Sequence, residues 1–192
     1  MVAGTEIIVL HTTKVGENSI VVHTLSREYG RRSFLVKGVR KAAMSLFLPL
    51  NILEAEIVES SKSNLYTARN IASACSLLGI RNSIMKNSMT MFISEVLYRA
   101  VKDGAAEPGL YEWCRKSVLM LDAIQSDFSN FHIRFLLELA VNLGFRPEMR
   151  DLKPFVGEHY DVIEGFVQKS FAESMLIPLN GRSEERRVGK EC

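Results

Sequence analysis

The chain of 192 residues lacks several features that would place it in a class at once. It has no uncharged apolar run of about 18 residues, so the sequence predicts no membrane-spanning helix. Glu6 interrupts the first apolar stretch, which does not fit a secretory signal peptide. The cysteines, Cys75, Cys114 and Cys192, have no CxxC spacing, which argues against a disulfide scaffold or a cysteine-bound zinc site. We therefore expect a cytoplasmic protein with no membrane partner.

Motifs of the common enzyme classes are also missing: the sequence contains no GxxxxGK[ST], GxGxxG, GxSxG or HExxH. His11 and His23 can be neighbours on adjacent strands, and we interpret them as a sheet-surface pair rather than a site. A nuclease would need carboxylates that converge on a metal from several segments. Glu54, Glu56 and Glu59 lie along one segment, and we interpret them as a solvated strand face. We expect a protein that is not an enzyme and has neither cofactor nor metal.

One local feature stands out from a chain that is otherwise close to neutral, with 24 basic and 22 acidic residues. Between residues 27 and 41 a single acid, Glu28, is set against a group that we call the basic ridge: Arg27, Arg31, Arg32, Lys37, Arg40 and Lys41. A line of cations on a small β domain is how proteins follow a phosphate backbone without reading its sequence. The alternative is a solvated hairpin edge, since Lys and Arg also protect exposed strands from pairing.

The first 72 residues have the pattern of a small β domain. Five β-branched or alternating segments are separated by Gly, Ser and Asn turns, over residues 5–13, 19–26, 32–39, 49–59 and 64–71. In the third segment Phe34 and Val36 share one face, and Ser33 and Lys37 share the other. Five short strands at this spacing predict a five-stranded Greek-key barrel of the oligonucleotide-binding kind, the OB fold, over residues 1–72.

Near residue 75 the apolar period changes to three and four, which predicts helices. The first helix, over residues 82–102, has an apolar face that we interpret as core, formed by Met85, Met89, Phe92, Val96 and Ala100. We interpret Met91 on the same helix as core too. The second helix follows Pro108, a residue that suits a first helical turn. It presents Leu110, Trp113, Ser117, Leu121 and Ile124.

A third helix is predicted with both of its ends marked. Ser126 or Asp127 can be the N-cap, and Gly144 lies where a left-handed residue ends a helix. The face between them is formed by Phe128, Phe131, Phe135, Leu139 and Leu143. A small hairpin over residues 160–168 follows. Three helices without an intervening strand predict an α-helical bundle domain over residues 73–181, which makes the fold class α+β.

The last eleven residues, 182–192, follow Gly181 abruptly and have no apolar period. They can be translated in frame from a widely used DNA-sequencing adapter. We therefore interpret them as a disordered artefact that carries no functional weight, although a genuine charged tail has a similar composition. On this interpretation the natural protein is longer, and the helical domain is incomplete at its C-terminus.

Several segments, taken in order, resemble the RecO family of DNA-repair proteins. In the β domain these are residues 5–10 (TEIIVL), 16–19 (GENS), 27–31 (REYGR), 37–41 (KGVRK) and 48–51 (LPLN). In the helical region they are residues 95–99 (EVLYR), 130–132 (NFH) and 143–147 (LGFRP). The resemblance extends from residue 5 to about residue 168. Each motif alone is weak, and their order and spacing make the match specific.

The resemblance implies a bacterial recombination mediator that binds single- and double-stranded DNA and anneals complementary strands. It further implies that such a protein works with RecR to load RecA onto strands coated by single-strand-binding protein, without hydrolysing nucleotides. Many family members carry a four-cysteine zinc motif in the C-terminal region. That motif is not matched between Gly144 and Gly181, so we expect no zinc here.

The expected DNA-binding residues are the basic ridge together with Tyr29, which could stack on a base. Phe34 is expected in the core, and Tyr66 is a further stacking candidate. The helical domain is expected to hold the acidic tail of single-strand-binding protein, in a pocket whose basic rim could come from Arg99, Lys102, Arg115 or Lys116. The alternative function is a non-catalytic protein-interaction module in which the basic ridge is a solvated edge.

Overall fold

The computed structural model describes residues 2–59, 65–104 and 106–145. The chain forms two compact units, Met1–Ala123 and Ile124–Cys192. The predicted hairpin over residues 160–168, the tail over residues 182–192 and most of the region without a zinc motif lie outside the described residues.

The first unit contains a closed β-barrel, which confirms the predicted OB fold. Its strands are β1 (Val2–Lys14), β2 (Ser19–Ser26), β3 (Gly30–Lys37), β4 (Ile52–Val58) and β5 (Tyr66–Ser73). Around the barrel they follow the order β1-β2-β3-β5-β4. β1 pairs antiparallel with both β2 and β4, and the barrel closes through a parallel pairing of β3 with β5.

The alternating pattern of the strands accounts for the core of the barrel. Phe34 and Val36 on β3 are buried, whereas Lys37 on the opposite face is exposed, as predicted. The same holds for β4, where Ile57 is buried and Glu56 is exposed. The core is formed by Ile7, Val9, Ile20, Val22, Phe34, Val36, Phe47, Leu53, Ala55, Ile57 and Ala68. Burial of these apolar side chains is the main favourable contribution to the stability of the barrel.

A 3-10 helix, Lys41–Phe47, connects β3 to β4. It begins after the turn at Gly38, whose φ of 71° is in the left-handed region that favours glycine. At its other end the Phe47 side chain enters the barrel core. The Asn51 amide donates hydrogen bonds to the carbonyl oxygens of Ser45 and Leu46, at 3.0 and 2.9 Å. These contacts hold the 3-10 helix against the side of the barrel where β3 ends.

Three helices complete the first unit: α1 (Leu78–Arg81), α2 (Ile84–Ala100) and α3 (Pro108–Ala123). Pro108 is the first residue of α3, as predicted. α1 approaches α3 so closely that a Cβ atom on Gly79 would lie 2.0 Å from the backbone oxygen of Asp122. The Asp122 carboxylate accepts a hydrogen bond from the Ile80 backbone N–H at 2.8 Å. Glycine at position 79 therefore permits a contact that no other residue allows.

The prediction of the buried face of α2 was wrong in part. Met89 is buried, but Met85 and Phe92 are exposed, and so is Met91. The buried side chains of this helix are Lys86, Met89, Thr90, Ile93, Ser94 and Leu97. The hydroxyl groups on this face are satisfied within the helix: Thr90 donates to the Asn87 carbonyl oxygen at 2.8 Å, and Ser94 donates to that of Met91 at 2.9 Å.

The second unit contributes one described helix, α4 (Phe131–Asn142). It begins later than predicted, after Asn130, so Ser126 and Asp127 are not its N-cap. Its C-terminal end confirms the prediction. Gly144 has a φ of 84°, its N–H donates to the Val141 carbonyl oxygen, and the Phe145 N–H donates to the Ala140 carbonyl oxygen. This pair of bonds is the Schellman ending of a helix.

None of the helices in the described part of the chain is long and apolar enough to cross a membrane.

Candidate nucleic-acid interface

The basic ridge runs along the hairpin formed by β2 and β3. At its turn end, Ser26 pairs with Gly30, and the Ser26 hydroxyl donates to the Gly30 carbonyl oxygen at 3.0 Å. Gly30 has a φ of 63°, which explains the glycine in this tight turn. At its open end, Ser19 pairs with Lys37, and the chain continues through Gly38 into the 3-10 helix. The two ends of the hairpin place their cations in different surroundings.

At the turn end, two arginines are paired with acids from the helical part of the same unit. Arg27 Nη2 lies 2.7 Å from Glu112 Oε1 of α3. Arg31 Nη1 lies 2.6 Å from Asp103 Oδ1, and its side chain is only 14% exposed. The Arg31 guanidinium also lies over the ring of Tyr98, 4.6 Å from its centroid. These arginines hold helices onto the barrel in addition to any contact with a ligand.

An aromatic group lies next to this turn. Tyr29 makes edge contacts with Phe34 and Tyr66, with ring centroids 5.9 and 6.2 Å apart. The Arg32 guanidinium covers the Tyr66 ring at 3.9 Å from its centroid. Phe34 is fully buried, which confirms its prediction as a core residue. Tyr29 and Tyr66 are half-buried, so each presents part of its ring to solvent.

Burial raises the pKa of the Tyr29 hydroxyl, and the nearby Glu59 carboxylate raises it further. The hydroxyl donates a long hydrogen bond to Glu59 Oε1, at 3.4 Å. A recess of about 730 Å³ opens beside Tyr29 and carries charges of both signs. Its lining includes Arg31 and Arg32 but also Glu28 and Asp103. The turn end is therefore polar without being uniformly positive.

The cations at the open end differ. Lys37, Arg40 and Lys41 are exposed, and no acid within the described residues lies at ion-pair distance from them. β3 meets β5 here, and a second recess, of about 490 Å³, lies where the two strands separate. This open end, with Lys37, Arg40 and Lys41, is the most uniformly positive part of the basic ridge.

Arg69 joins this group, although the sequence reasoning missed it. It lies on β5, is exposed and lines the same recess as Lys37. Arg69 is 28 residues after Lys41 in the chain, so a scan for local charge cannot connect them. The signal that could have found it is the topology of the OB fold, which places β5 beside β3.

A buried network anchors α3 to β1. Tyr111 is fully buried and its hydroxyl donates to Glu6 Oε1 at 2.5 Å, while Arg115 Nε donates to the same oxygen at 2.7 Å. Burial raises the pKa of the Glu6 carboxyl, but the hydrogen bonds from Arg115 and Tyr111 outweigh burial and hold that pKa below its ordinary value. Arg115, one of the candidates for the partner pocket, therefore has a structural role.

The two histidines on the barrel are neighbours, as predicted. His11 pairs with His23 across β1 and β2, and their ring centroids are 5.7 Å apart. Tyr98 of α2 packs on both rings. Burial lowers the pKa of His23, and the neighbouring His11 and Arg31 lower it further. Over residues 2–59, 65–104 and 106–145, no three His, Cys, Asp or Glu side chains form a group that could hold a metal ion.

A closed five-stranded OB barrel with a positive end, followed by helices, defines a protein of the oligonucleotide-binding-fold class. Residues 1–75 match the family model described as Recombination protein O N terminal, and residues 81–151 match the one described as Recombination protein O C terminal. The chain belongs to the RecO family.

Its relatives include DNA repair protein RecO of Phocaeicola vulgatus, which is 36% identical over 150 residues, or 76% of this chain and 62% of the relative. DNA repair protein RecO of Porphyromonas gingivalis is 31% identical over 186 residues, which cover 93% of this chain and 76% of the relative. That of Flavobacterium johnsoniae is 31% identical over 153 residues, covering 77% and 64% respectively. The chain thus spans somewhat less than two thirds of the P. vulgatus relative.

Proposed function

We propose that this chain is a DNA-binding recombination mediator in DNA repair and that its open hairpin end contacts the phosphate backbone. The observation that carries the proposal is the position of Lys37, Arg40 and Lys41 on an OB barrel of the RecO family, with no acid partner among the described residues. Neutralising phosphates releases condensed counterions, which supplies affinity that does not depend on sequence. Arg27, Tyr29, Arg31 and Arg32 are the remaining proposed contacts, from the turn end.

Annealing requires no catalytic group. Two complementary strands repel each other through their phosphates, and cations bound along one strand reduce that repulsion. Base pairing then provides the net free energy. Stacking on a partly exposed ring adds about 1–3 kcal/mol per base. Tyr29 is the better candidate for this contact, because the Arg32 guanidinium already covers one face of Tyr66.

The proposed partners are single- and double-stranded DNA, RecR, the C-terminal tail of single-strand-binding protein and, indirectly, RecA. Of the residues considered for the rim of the tail pocket, Arg99 pairs with Glu95, and Arg115 pairs with Glu6. Lys102 and Lys116 are exposed. These lysines are therefore the better candidates for a contact with an acidic tail.

The test is the binding of the whole chain to a labelled single strand, followed by fluorescence anisotropy at several salt concentrations. We expect binding that weakens steeply with salt. Lys37→Ala should reduce the slope of log K against log salt by about one, because one phosphate contact is lost. Arg99→Ala is the matched control, since it removes an exposed cation from α2. Equal slopes for the two variants would contradict the assignment of Lys37.

The second candidate function is a protein-interaction module. It is favoured by the exposed apolar side chains on α2, where Ile84 is 87% and Met91 is 64% exposed. In that case the basic ridge serves solubility, and the same titration would show little binding at low salt and little dependence on salt.

A further inference from the structure

The barrel has an incomplete seam between β3 and β5. Within the described residues these strands pair at Phe34 with Tyr66 and at Leu35 with Thr67, and the pairing ends there. By contrast, β2 and β3 pair along their whole length. The 3-10 helix flanks the gap, and the recess of about 490 Å³ occupies it. The recess therefore arises because the parallel pairing of β3 with β5 ends before either strand ends.

The lining of the recess is apolar inside and cationic at the rim. Val36, Leu46, Phe47 and Ile71 contribute apolar surface, and Lys37 and Arg69 contribute the charges. Its volume lies in the range of about 300–1,000 Å³ that is typical of small-molecule sites. A flat apolar group attached to an anion would satisfy both parts of this lining.

A β-bulge in β5 shapes the rim. Glu56 pairs with Arg69 and Glu54 pairs with Ala72, so Asn70 and Ile71 together lie opposite a single residue of β4. Asn70 has a φ of 49°, and its side-chain amide donates to Glu56 Oε2 at 2.7 Å. Bulges redirect side chains and are common next to binding sites. Glu56, which accepts this bond, is the cross-strand neighbour of Arg69.

We propose that this recess binds one nucleotide of a single DNA strand, with the base against the apolar lining and the phosphate between Lys37 and Arg69. This inference rests on the proposed function and adds a site to it. Duplex DNA cannot fill the recess without unpairing, because its bases are stacked inside the helix. The recess therefore gives the open hairpin end a preference for unpaired strands.

The distribution of charge favours a nucleic-acid strand over an acidic peptide. Arg40 and Lys41 continue the positive surface from Lys37 past the Gly38 turn. A strand carries one phosphate per nucleotide, so it uses cations inside the recess and beyond it at the same time. A short acidic peptide seated in the recess would leave the outer cations without a partner.

The experiment uses the whole chain and a labelled thymidine oligonucleotide with a single 2-aminopurine. Arg69→Ala should weaken binding several-fold and reduce the salt slope by about one. Ala43→Phe, which places a ring in the recess, should weaken binding about tenfold with an unchanged slope. Glu56→Gln keeps an acceptor for Asn70 but removes the charge opposite Arg69, and should strengthen binding.

Two further measurements need no variant. Binding should unstack 2-aminopurine and raise its fluorescence, and an oligonucleotide made of abasic sites should bind about tenfold more weakly than its parent at equal charge. Arg99→Ala is the control for the loss of a cation, since it removes an exposed arginine of α2 that pairs with Glu95. The proposal is overturned if Arg69→Ala and Ala43→Phe both match that control while the parent chain binds DNA normally.

The outcomes separate this site from the proposed function. Absence of any salt-dependent binding by the parent chain would overturn both. Competition by polyglutamate that is strong against the parent but lost in Ala43→Phe would show that the recess binds anions in general, and it would overturn the nucleotide site alone. We expect the parent chain to bind the abasic strand more weakly than the normal strand, and Ala43→Phe to bind the normal strand more weakly than the parent chain does.

Discussion

The two ends of the β2–β3 hairpin carry the same kind of side chain and use it differently. At the turn end, Arg27 and Arg31 are paired with Glu112 and Asp103 and connect the barrel to the helical part of its unit. At the open end, Lys37 and its neighbours face solvent with no acid partner in the part of the chain that the structure describes. A basic stretch that is continuous in sequence is thus divided in space.

This difference shows that counting charges along the sequence overestimates the number of cations that are available to bind a ligand. A guanidinium that already has a carboxylate at 2.6 Å has fewer free N–H groups and a partly neutralised charge to offer a phosphate. A solvated ammonium gives up only water and counterions. The open end should therefore contribute most of the DNA affinity, and the turn end should contribute mainly to stability.

The largest effect is expected from the open end. Changing Lys37, Arg40 and Lys41 together to Ala should weaken binding to a single strand about 100-fold at low salt and reduce the salt slope by about three. The matched control changes Arg99, Lys102 and Lys116 to Ala, three exposed cations outside the hairpin. Fluorescence anisotropy over a range of salt concentrations measures both quantities. A similar loss in the control would show that total charge, rather than position, determines affinity.

The network between β1 and α3 should matter for stability alone. Glu6→Ala leaves Tyr111 and Arg115 without their acceptor, and we expect the free energy of unfolding to fall by about 2 kcal/mol. Chemical denaturation at pH 7 measures this. DNA affinity, normalised to the folded fraction, should not change.

The Glu6 network also predicts a pH dependence. The folded-state pKa of Glu6 lies below its ordinary value of 4.5, so its stabilising effect is fully present above pH 4.5. That effect is lost as the pH falls through the folded-state pKa, because the unfolded chain binds the proton first. The difference in stability between the parent and Glu6→Ala should therefore shrink below pH 4.5. A difference that stays constant over that range would contradict the assignment.

At the turn end, Arg31→Ala should lower the free energy of unfolding by about 1 kcal/mol, since it removes an ion pair and a contact with the Tyr98 ring. Its effect on DNA affinity should be smaller than that of Lys37→Ala. Thermal and chemical denaturation measure the first effect, and anisotropy measures the second. If Arg31→Ala weakened DNA binding more than Lys37→Ala, the proposed difference between the two hairpin ends would be wrong.

The smallest effect is expected from the acid partner. Asp103→Asn releases Arg31 from its ion pair, and we expect about threefold tighter DNA binding with a slightly steeper salt slope. Glu95→Asn on α2 is a control, since it removes an exposed acid that pairs with Arg99. If both variants gained the same DNA affinity, the gain would reflect net charge rather than the release of Arg31.

Much of the barrel could be predicted because its strands follow simple alternation. Phe34 and Val36 face inward and Lys37 faces outward because a period of two leaves no other arrangement once one face is buried. The glycines at 30 and 38 mark the turns for an equally local reason, their positive φ. The end of α4 at Gly144 was predictable on the same grounds.

Other features depend on contacts that local patterns do not contain. The buried face of α2 was misjudged because Lys86 is buried there, with its Nζ donating to the Asp122 carbonyl oxygen at 3.1 Å. Apolar Met85 is exposed instead. The division of the basic ridge depends on Glu112, 85 positions after Arg27 in the chain. The recess of about 490 Å³ depends on where β3 and β5 stop pairing.

The short junction between β3 and β5 also bears on how the barrel opens. Segments with few stabilising contacts open locally at low free energy. In the described barrel the shortest ladder is the one next to Tyr66 and Thr67, where we expect opening to begin. Backbone amides along this part of β5 should exchange with deuterium before those of β2. A DNA strand bound in the recess would contact β3 and β5 together and would oppose their separation. Protection against exchange would then spread from the ligand to the whole circumference of the barrel.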